Sequence, residues 1–445
     1  MVQFMNTEKK PELLIPASNL EVLKVAVKYG ADAVYIGGEM FGLRAGAKNF
    51  TDEDMKTGIE FAHRYGKKVY VTANITAHNR DLKGIEKYFN ELKEIKPDGV
   101  IISDPGVFEI GREIMPDVDL HISTQANNTN YRDCLFWRRM GATRVVTARE
   151  LSLLEIGEIR ANIPGDMEIE TFVHGAMCMS YSGRCLLSNF LTGRDANLGA
   201  CTHPCRWKYY LMEETRPGEY MPVFENDRGT YIFNSKDLCM IEHIPELVRA
   251  GIDSFKVEGR MKTALYVATV ARTYRQAIDD FFKDEDLYRN NIQKYQEEIK
   301  KCTYRQFTTG FFFGPADRNS QIYDNNTYAK GAVYLGMIQG RNEEGFYEIE
   351  QRNKFSVGDE IEVILCNNDA MALGTLEAIE ETGKTAGKDI YVVGVDALEE
   401  AVIAVGEGRM TGTVLNDHTG QSHSAADALT AMISGEKAEV KYSVD

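Results

Sequence analysis

The stretch "VAVKYGADAVYIGG", Val25–Gly38, decides how the fold is read. A helical run ends at Tyr29-Gly30, and after two residues an apolar, β-branched run begins. Glycine directly after a helix supplies the left-handed cap that residues with a Cβ resist. The run that follows is apolar without alternation, the mark of a strand covered on both faces. The same hand-over recurs in "RRMGATRVV" (138–146) and "LVRAGIDSFKVEG" (247–259). Strand candidates are "ELLIPA" (12–17), "DAVYIGG" (32–38), "KVYVTANI" (68–75), "DGVIISD" (98–104), "DLHIST" (119–124), "TRVVTA" (143–148), "EIETFVHG" (168–175) and "SFKVEG" (254–259). Eight strand–helix units predict an α/β chain built on a (β/α)8 TIM-like barrel, with an open doubly wound sheet as the alternative. Polar residues follow the strands: Asn74, Asp104, His121, Ser123, Gln125, His174, Glu258 and Arg260. In such barrels that end carries the active site.

The chain has 445 residues, 43% hydrophobic and 27% charged, enough for two or three domains with real cores. Its formal net charge of −16 excludes a broadly basic nucleic-acid-binding surface but leaves room for a local basic cleft. No apolar run approaches ~18 residues and the first residues do not read as a signal peptide, so the expected location is cytoplasmic, with no membrane partner. Residues 1–305 read as the barrel, with a Cys-rich insertion at 176–240 and a helical connector. Residues 306–364 read as a truncated small β domain, and 365–445 as a partial α/β segment. The change of character falls inside one apparent strand, "EIEVIL" (360–365), with no linker.

Four of the eight cysteines lie in "HGAMCMSYSGRCLLSNFLTGRDANLGACTHPC" (174–205). In a reducing compartment, clustered cysteines point to metal binding or catalysis rather than disulfides. Zinc knuckles and the compact ferredoxin spacing are both absent. Spacing alone therefore supports a cysteine-rich pocket able to hold a metal, against a catalytic thiol or plain buried cysteines.

This stretch resembles the signature of the peptidase U32 (collagenase-like protease) family. "HISTQANNTN", "NSKDLC" and "FKVEGRMK" match further motifs in order, over about residues 10–364. The resemblance implies 5-hydroxylation of the tRNA wobble uridine, an oxygen-sensitive [4Fe–4S] cluster, and prephenate as a co-substrate. It implies Cys178, Cys185, Cys201 and Cys239 as cluster ligands, with Cys205 the spare. The implied partners are tRNA and redox or iron–sulfur assembly proteins. Proteolysis has little support: HExxH and GxSxG are missing, and a Cys–His dyad such as Cys178 with His174 has nothing further in its favour.

Around this core, His121 and His174 are candidates for proton transfer and Glu258 for a catalytic carboxylate, with ordinary buried packing as the competing reading. Gln125 and Asn127 could read a base edge. Arg184, Arg206, Lys256, Arg260 and Lys262 form a candidate substrate-binding set, and Arg260 beside Glu258 could fork onto a carboxylate. Arg194 and Lys208 flank the same set.

The last part, "NNDAMALGTLEAI…VVGVDAL…GTVLND", resembles the C-terminal lobe of a periplasmic galactose/glucose-binding protein. Its sugar-contacting positions would fall on Asn368, Asp396 and Asn416. Only part of one lobe is present, which argues against sugar binding. The chain therefore reads as a chimera.

Overall fold

The computed structural model describes residues 9–38, 41–42, 49–177, 188, 192, 194, 202, 211–212, 220–221, 225–226, 229–230, 236–314, 329–330, 335–341, 347–353, 363–365, 369–381, 384–386, 388, 390–396, 398–410 and 412–415. Seven parallel strands come first: β1 (Glu12–Pro16), β2 (Ala33–Gly37), β3 (Lys68–Ala73), β4 (Gly99–Ile102), β5 (Asp119–Ile122), β6 (Arg144–Val146) and β7 (Glu168–Gly175). The strand Ser254–Val257 pairs in parallel with both β7 and β1, and this closes an eight-stranded parallel barrel. The expected (β/α)8 architecture is therefore present, with all eight strands where the apolar runs placed them.

Local chemistry sets the helices between the strands. Thr51, Asp104, Asn130 and Ser152 cap four helix starts by accepting main-chain N–H groups, and Pro105 occupies the first turn behind Asp104. The hand-over glycines Gly30, Gly141 and Gly251 all take positive φ, at 107°, 100° and 76°. At Gly251 a Cβ would also lie 2.5 Å from Arg160 Cγ, so the turn is closed to larger residues.

Two further strands extend the barrel sheet. Asp237–Cys239 runs antiparallel to β7, pairing Leu238 with Gly175 and Cys239 with His174. Phe307–Thr308 lies parallel to it. Along β7, Glu170 pairs with Ser254 but His174 pairs with Val257, so β7 spends one extra residue opposite the closing strand. Such a bulge reverses which side chains face inward beyond it.

The second unit comprises mainly Gly331–Asp445. It holds a hairpin, Gly336–Arg341 with Tyr347–Gln351, and a parallel three-stranded sheet of Val363–Leu365, Tyr391–Asp396 and Gly412–Leu415. The strand at which the sequence changes character thus pairs with the tail. Ala372, Leu376, Ile379, Val392, Ala401 and Ala404 form the buried core beneath the helices Asp369–Glu381 and Glu399–Gly406. Among the described residues, no helix is long and apolar enough to cross a membrane.

Candidate active site

The barrel interior changes character along its axis. Near the strand starts, Arg144 Nη1 donates to Glu12 at 2.6 Å and to Glu170 at 2.9 Å, and Arg144 Nη2 donates to Glu168 at 2.6 Å. Tyr70 Oη and Ser254 Oγ also donate to Glu12, at 2.7 and 3.1 Å. Glu12, Tyr70 and Arg144 come from β1, β3 and β6, so these side chains meet across the barrel. One step higher, Lys256 Nζ donates to Glu170 at 2.6 Å and lies 4.6 Å from the Tyr35 ring centroid. Burial would raise the Glu170 pKa, but Lys256 and Arg144 together hold it below the ordinary carboxylate value. Burial pushes the Lys256 pKa down against the pull of Glu170. The charge of Lys256, expected to meet substrate, is committed to Glu170.

His121 lies in this layer, in register with Arg144 and 2% exposed. Its ring meets Tyr70 edge-on at 4.7 Å. Burial, then the nearby Arg144 and Lys256, hold its pKa well below the usual histidine value, so it is neutral.

The mouth, where the strands end, is different. Asn74 Nδ2, following β3, donates to Gln125 Oε1 at 3.2 Å and to Ser123 Oγ at 3.3 Å; Ser123 Oγ also donates to Gln125 Oε1. Asn127 takes φ 55° at the end of the short turn Thr124–Ala126, and its Nδ2 donates to the Gln125 carbonyl at 2.8 Å. Across the ring, Arg260 Nη1 donates to Thr72 Oγ1 at 2.8 Å, in a space that exists because Gly37 has no Cβ: one there would lie 2.4 Å from Nη1. Glu258 Oε2 lies 3.4 Å from Arg149 Nη2. Arg149 Nη1 holds the Ala176 carbonyl at 2.9 Å, and its guanidinium stacks 3.9 Å from the Phe172 centroid. Lys262 sits 5.0 Å from the Tyr266 ring centroid in the next turn.

The bulge in β7 determines where His174 goes. Its ring packs between Tyr266, Tyr274 and Phe307, with centroids at 6.0, 5.6 and 5.7 Å. Tyr266 and Tyr274 belong to the helix Ala264–Lys283, which packs on the barrel's exterior beside β1. His174 is therefore outside the barrel, 1% exposed, with burial lowering its pKa to about 3. Cys239 is its pairing neighbour. Tyr274 Oη approaches the Cys239 thiol at 4.0 Å, and burial pushes that thiol up to about 12. The other expected ligands Cys178, Cys185 and Cys201, the spare Cys205, and Arg184 and Arg206 lie outside the described residues. So do Asn368 and Asn416 of the tail; Asp396 ends the strand Tyr391–Asp396.

The structure thus brings Gln125, Asn127, Glu258 and Arg260 to one rim, places Lys256 and His121 beneath it, and turns His174 away. Sequence reasoning passed over Arg149 and the Arg144–Glu170 pair. Arg149 follows the strand end of "TRVVTA", the position that flags mouth residues elsewhere. Glu168 and Glu170 alternate in "EIETF", and period-two charges in a doubly covered strand must face a polar barrel interior.

Comparison with known proteins agrees with this architecture. The profile of Peptidase family U32 matches residues 18–322, and that of a periplasmic binding protein domain matches 351–437. The chain is 44% identical over 356 residues to tRNA hydroxylation protein P1 of Bacillus subtilis, covering 80% of this chain and 83% of that one. It is 40% identical over 395 residues to tRNA hydroxylation protein P of Escherichia coli, covering 80% and 86%. It is 35% identical over 300 residues to the 23S rRNA 5-hydroxycytidine C2501 synthase of Escherichia coli, covering 67% of this chain and 44% of the relative. The two profiles occupy separate spans, as expected of a chain joined from two sources. From its first barrel helix to the strands beyond the barrel, the chain belongs to peptidase family U32.

Proposed function

We propose that this protein is an RNA-hydroxylating enzyme whose substrate is the wobble uridine of tRNA, with prephenate as co-substrate and a [4Fe–4S] cluster on Cys178, Cys185, Cys201 and Cys239. The observation that carries the reading is the composition of the mouth: two guanidinium groups, Arg149 and Arg260, and the amides Asn74 and Gln125 all follow barrel strands at the same end. Guanidinium forks suit the phosphate of a nucleotide and the carboxylates of a small acid, while amides suit a base edge. A local cationic rim of this kind is compatible with a net charge of −16. The names of the relatives support hydroxylation of RNA as the chemistry.

Burial favours the protonated form of the Cys239 thiol, so ligation would have to displace that proton. What supports Cys239 as a ligand is its position. β7 ends at Gly175, three residues before Cys178, and the strand bearing Cys239 pairs with that end. When bound, the cluster would supply one-electron chemistry or hold the insertion together. In this reading Arg260 and Arg149 neutralise the anionic groups of the substrates, and Phe172 excludes water beneath Arg149. The added partner is a redox or iron–sulfur assembly protein. The tail is assigned no sugar.

The test is expression in a bacterial strain stripped of its own tRNA-hydroxylating relatives, with mass spectrometry of tRNA nucleosides. The wild-type chain should restore 5-hydroxyuridine derivatives and Cys239→Ala should not. Anaerobically purified wild-type protein should carry iron and sulfide. Unmodified tRNA in the presence of folded, iron-loaded protein would remove the proposal.

A further inference from the structure

We infer that the turn Thr124–Asn127 selects uracil over cytosine, with Gln125 Nε2 donating to the base O4 and Asn127 Oδ1 accepting from N3–H. The inference rests on the RNA reading above and deepens it, since one relative is named for hydroxylation of cytidine whereas the reading above assigns this chain uridine.

Gln125 has an amide whose orientation is held from one side. Asn74 Nδ2 and Ser123 Oγ both donate to Oε1, which fixes the oxygen toward β3 and β5. Asn74 is itself anchored, its carbonyl accepting from Ser103 Oγ at 2.9 Å after β4. Three neighbouring strand ends therefore hold one side-chain oxygen. The opposite atom, Nε2, has no hydrogen-bond partner among the described residues, so the turn offers a donor. Asn127 is held in the complementary sense. Its Nδ2 is used on the Gln125 carbonyl, and its Oδ1 is buried without a partner among the described residues. Buried acceptors in native proteins are nearly always paired, so an orphan at a barrel mouth points to a donor that arrives with the substrate.

The two pyrimidines differ in just these groups. Uracil presents an acceptor at O4 and a donor at N3, whereas cytosine presents a donor at N4 and an acceptor at N3. A donor from Gln125 and an acceptor from Asn127 match uracil and oppose cytosine at both positions. Mismatch leaves two polar groups facing their own kind, and an unpaired buried group such as Asn127 Oδ1 is costly.

The experiment uses the full chain in the stripped strain, reading 5-hydroxyuridine and 5-hydroxycytidine derivatives in total RNA. Gln125→Glu keeps one oxygen for Asn74 and Ser123 and turns a second acceptor to the base. Gln125→Met removes the donor without adding charge. Both should lower the uridine product about tenfold or more, as expected for loss of one buried hydrogen bond. Asn127→Leu removes the acceptor and should lower the uridine product by a similar factor. Melting curves report folding of each variant. A wild-type chain that modifies no RNA overturns the function itself. An active wild-type chain with unchanged uridine product in folded Gln125→Met overturns the base selection alone.

Discussion

The two ends of the barrel interior are built from the same residue types to opposite purposes. At the closed end Glu12, Arg144, Glu168, Glu170 and Lys256 each have a partner of opposite charge. At the mouth, Arg149 Nε and Asn127 Oδ1 are buried without partners among the described residues; in the charged layer the neutral His121 Nδ1 is likewise unpartnered, but no charged group is. A network in which every charge is satisfied contributes rigidity and a fixed register. One with unsatisfied groups is destabilising in isolation and is retained where a ligand completes it. The contrast assigns stability to the closed end and chemistry to the mouth.

The hardest test of that contrast is Arg144→Ala. It leaves Glu170 with Lys256 and the Ser254 hydroxyl and removes the buried guanidinium shared by Glu12, Glu168 and Glu170, so a loss of about 3–5 kcal/mol is expected in urea unfolding. A loss below about 1 kcal/mol would mean the closed end is not what holds the barrel together. Next in size is the pH response of His174. Its folded pKa of about 3 lies below its unfolded value of 6.5, so the unfolded chain takes up the proton first. Stability from this residue is complete above pH 6.5 and falls as pH drops from there toward 3. Between pH 7 and 5 the loss is about 2 kcal/mol, and His174→Phe should flatten it, as paired urea titrations would reveal. Persistence of the full slope in the variant would place the titrating group elsewhere.

The mouth should behave in the reverse way. Arg149→Ala should lower tRNA hydroxylation about tenfold, the worth of one charge-assisted contact, while shifting unfolding by less than Arg144→Ala does. Equal damage to stability from both arginines would erase the distinction between the ends. The smallest effect is expected on the outer rim of the closed end. Lys9 reaches Glu168 and Asp253 at 3.3 and 3.4 Å, but its side chain is 65% exposed. Lys9→Ala should cost under about 1 kcal/mol, because solvent and salt screen such pairs.

The barrel was legible because its strands are apolar runs covered on both faces, and because Gly30, Gly141 and Gly251 punctuate three helix-to-strand hand-overs in a way few residues allow. The mouth was legible in part. Gln125, Asn127, Glu258 and Arg260 announce themselves as polar residues directly after strands. Arg149 sits in an equivalent place but amid ordinary loop polarity, where nothing local separates a functional arginine from a solvated one. Lys256 was misplaced for a related reason: its partner Glu170 is 86 positions away in the chain, and only barrel closure joins them.

Sequence by itself therefore determined the eight-stranded α/β frame, the two-part composition of the chain, and the end of the barrel where polar chemistry gathers. These follow from periodicity and from glycine's backbone freedom, which are local. Tertiary structure alone decided that Lys256 is spent on Glu170, that Gln125 shows its donor side, and that His174 turns out of the barrel to stand beside Cys239. Each of these depends on register between strands distant in sequence, and one extra residue in β7 is enough to exchange inside for outside.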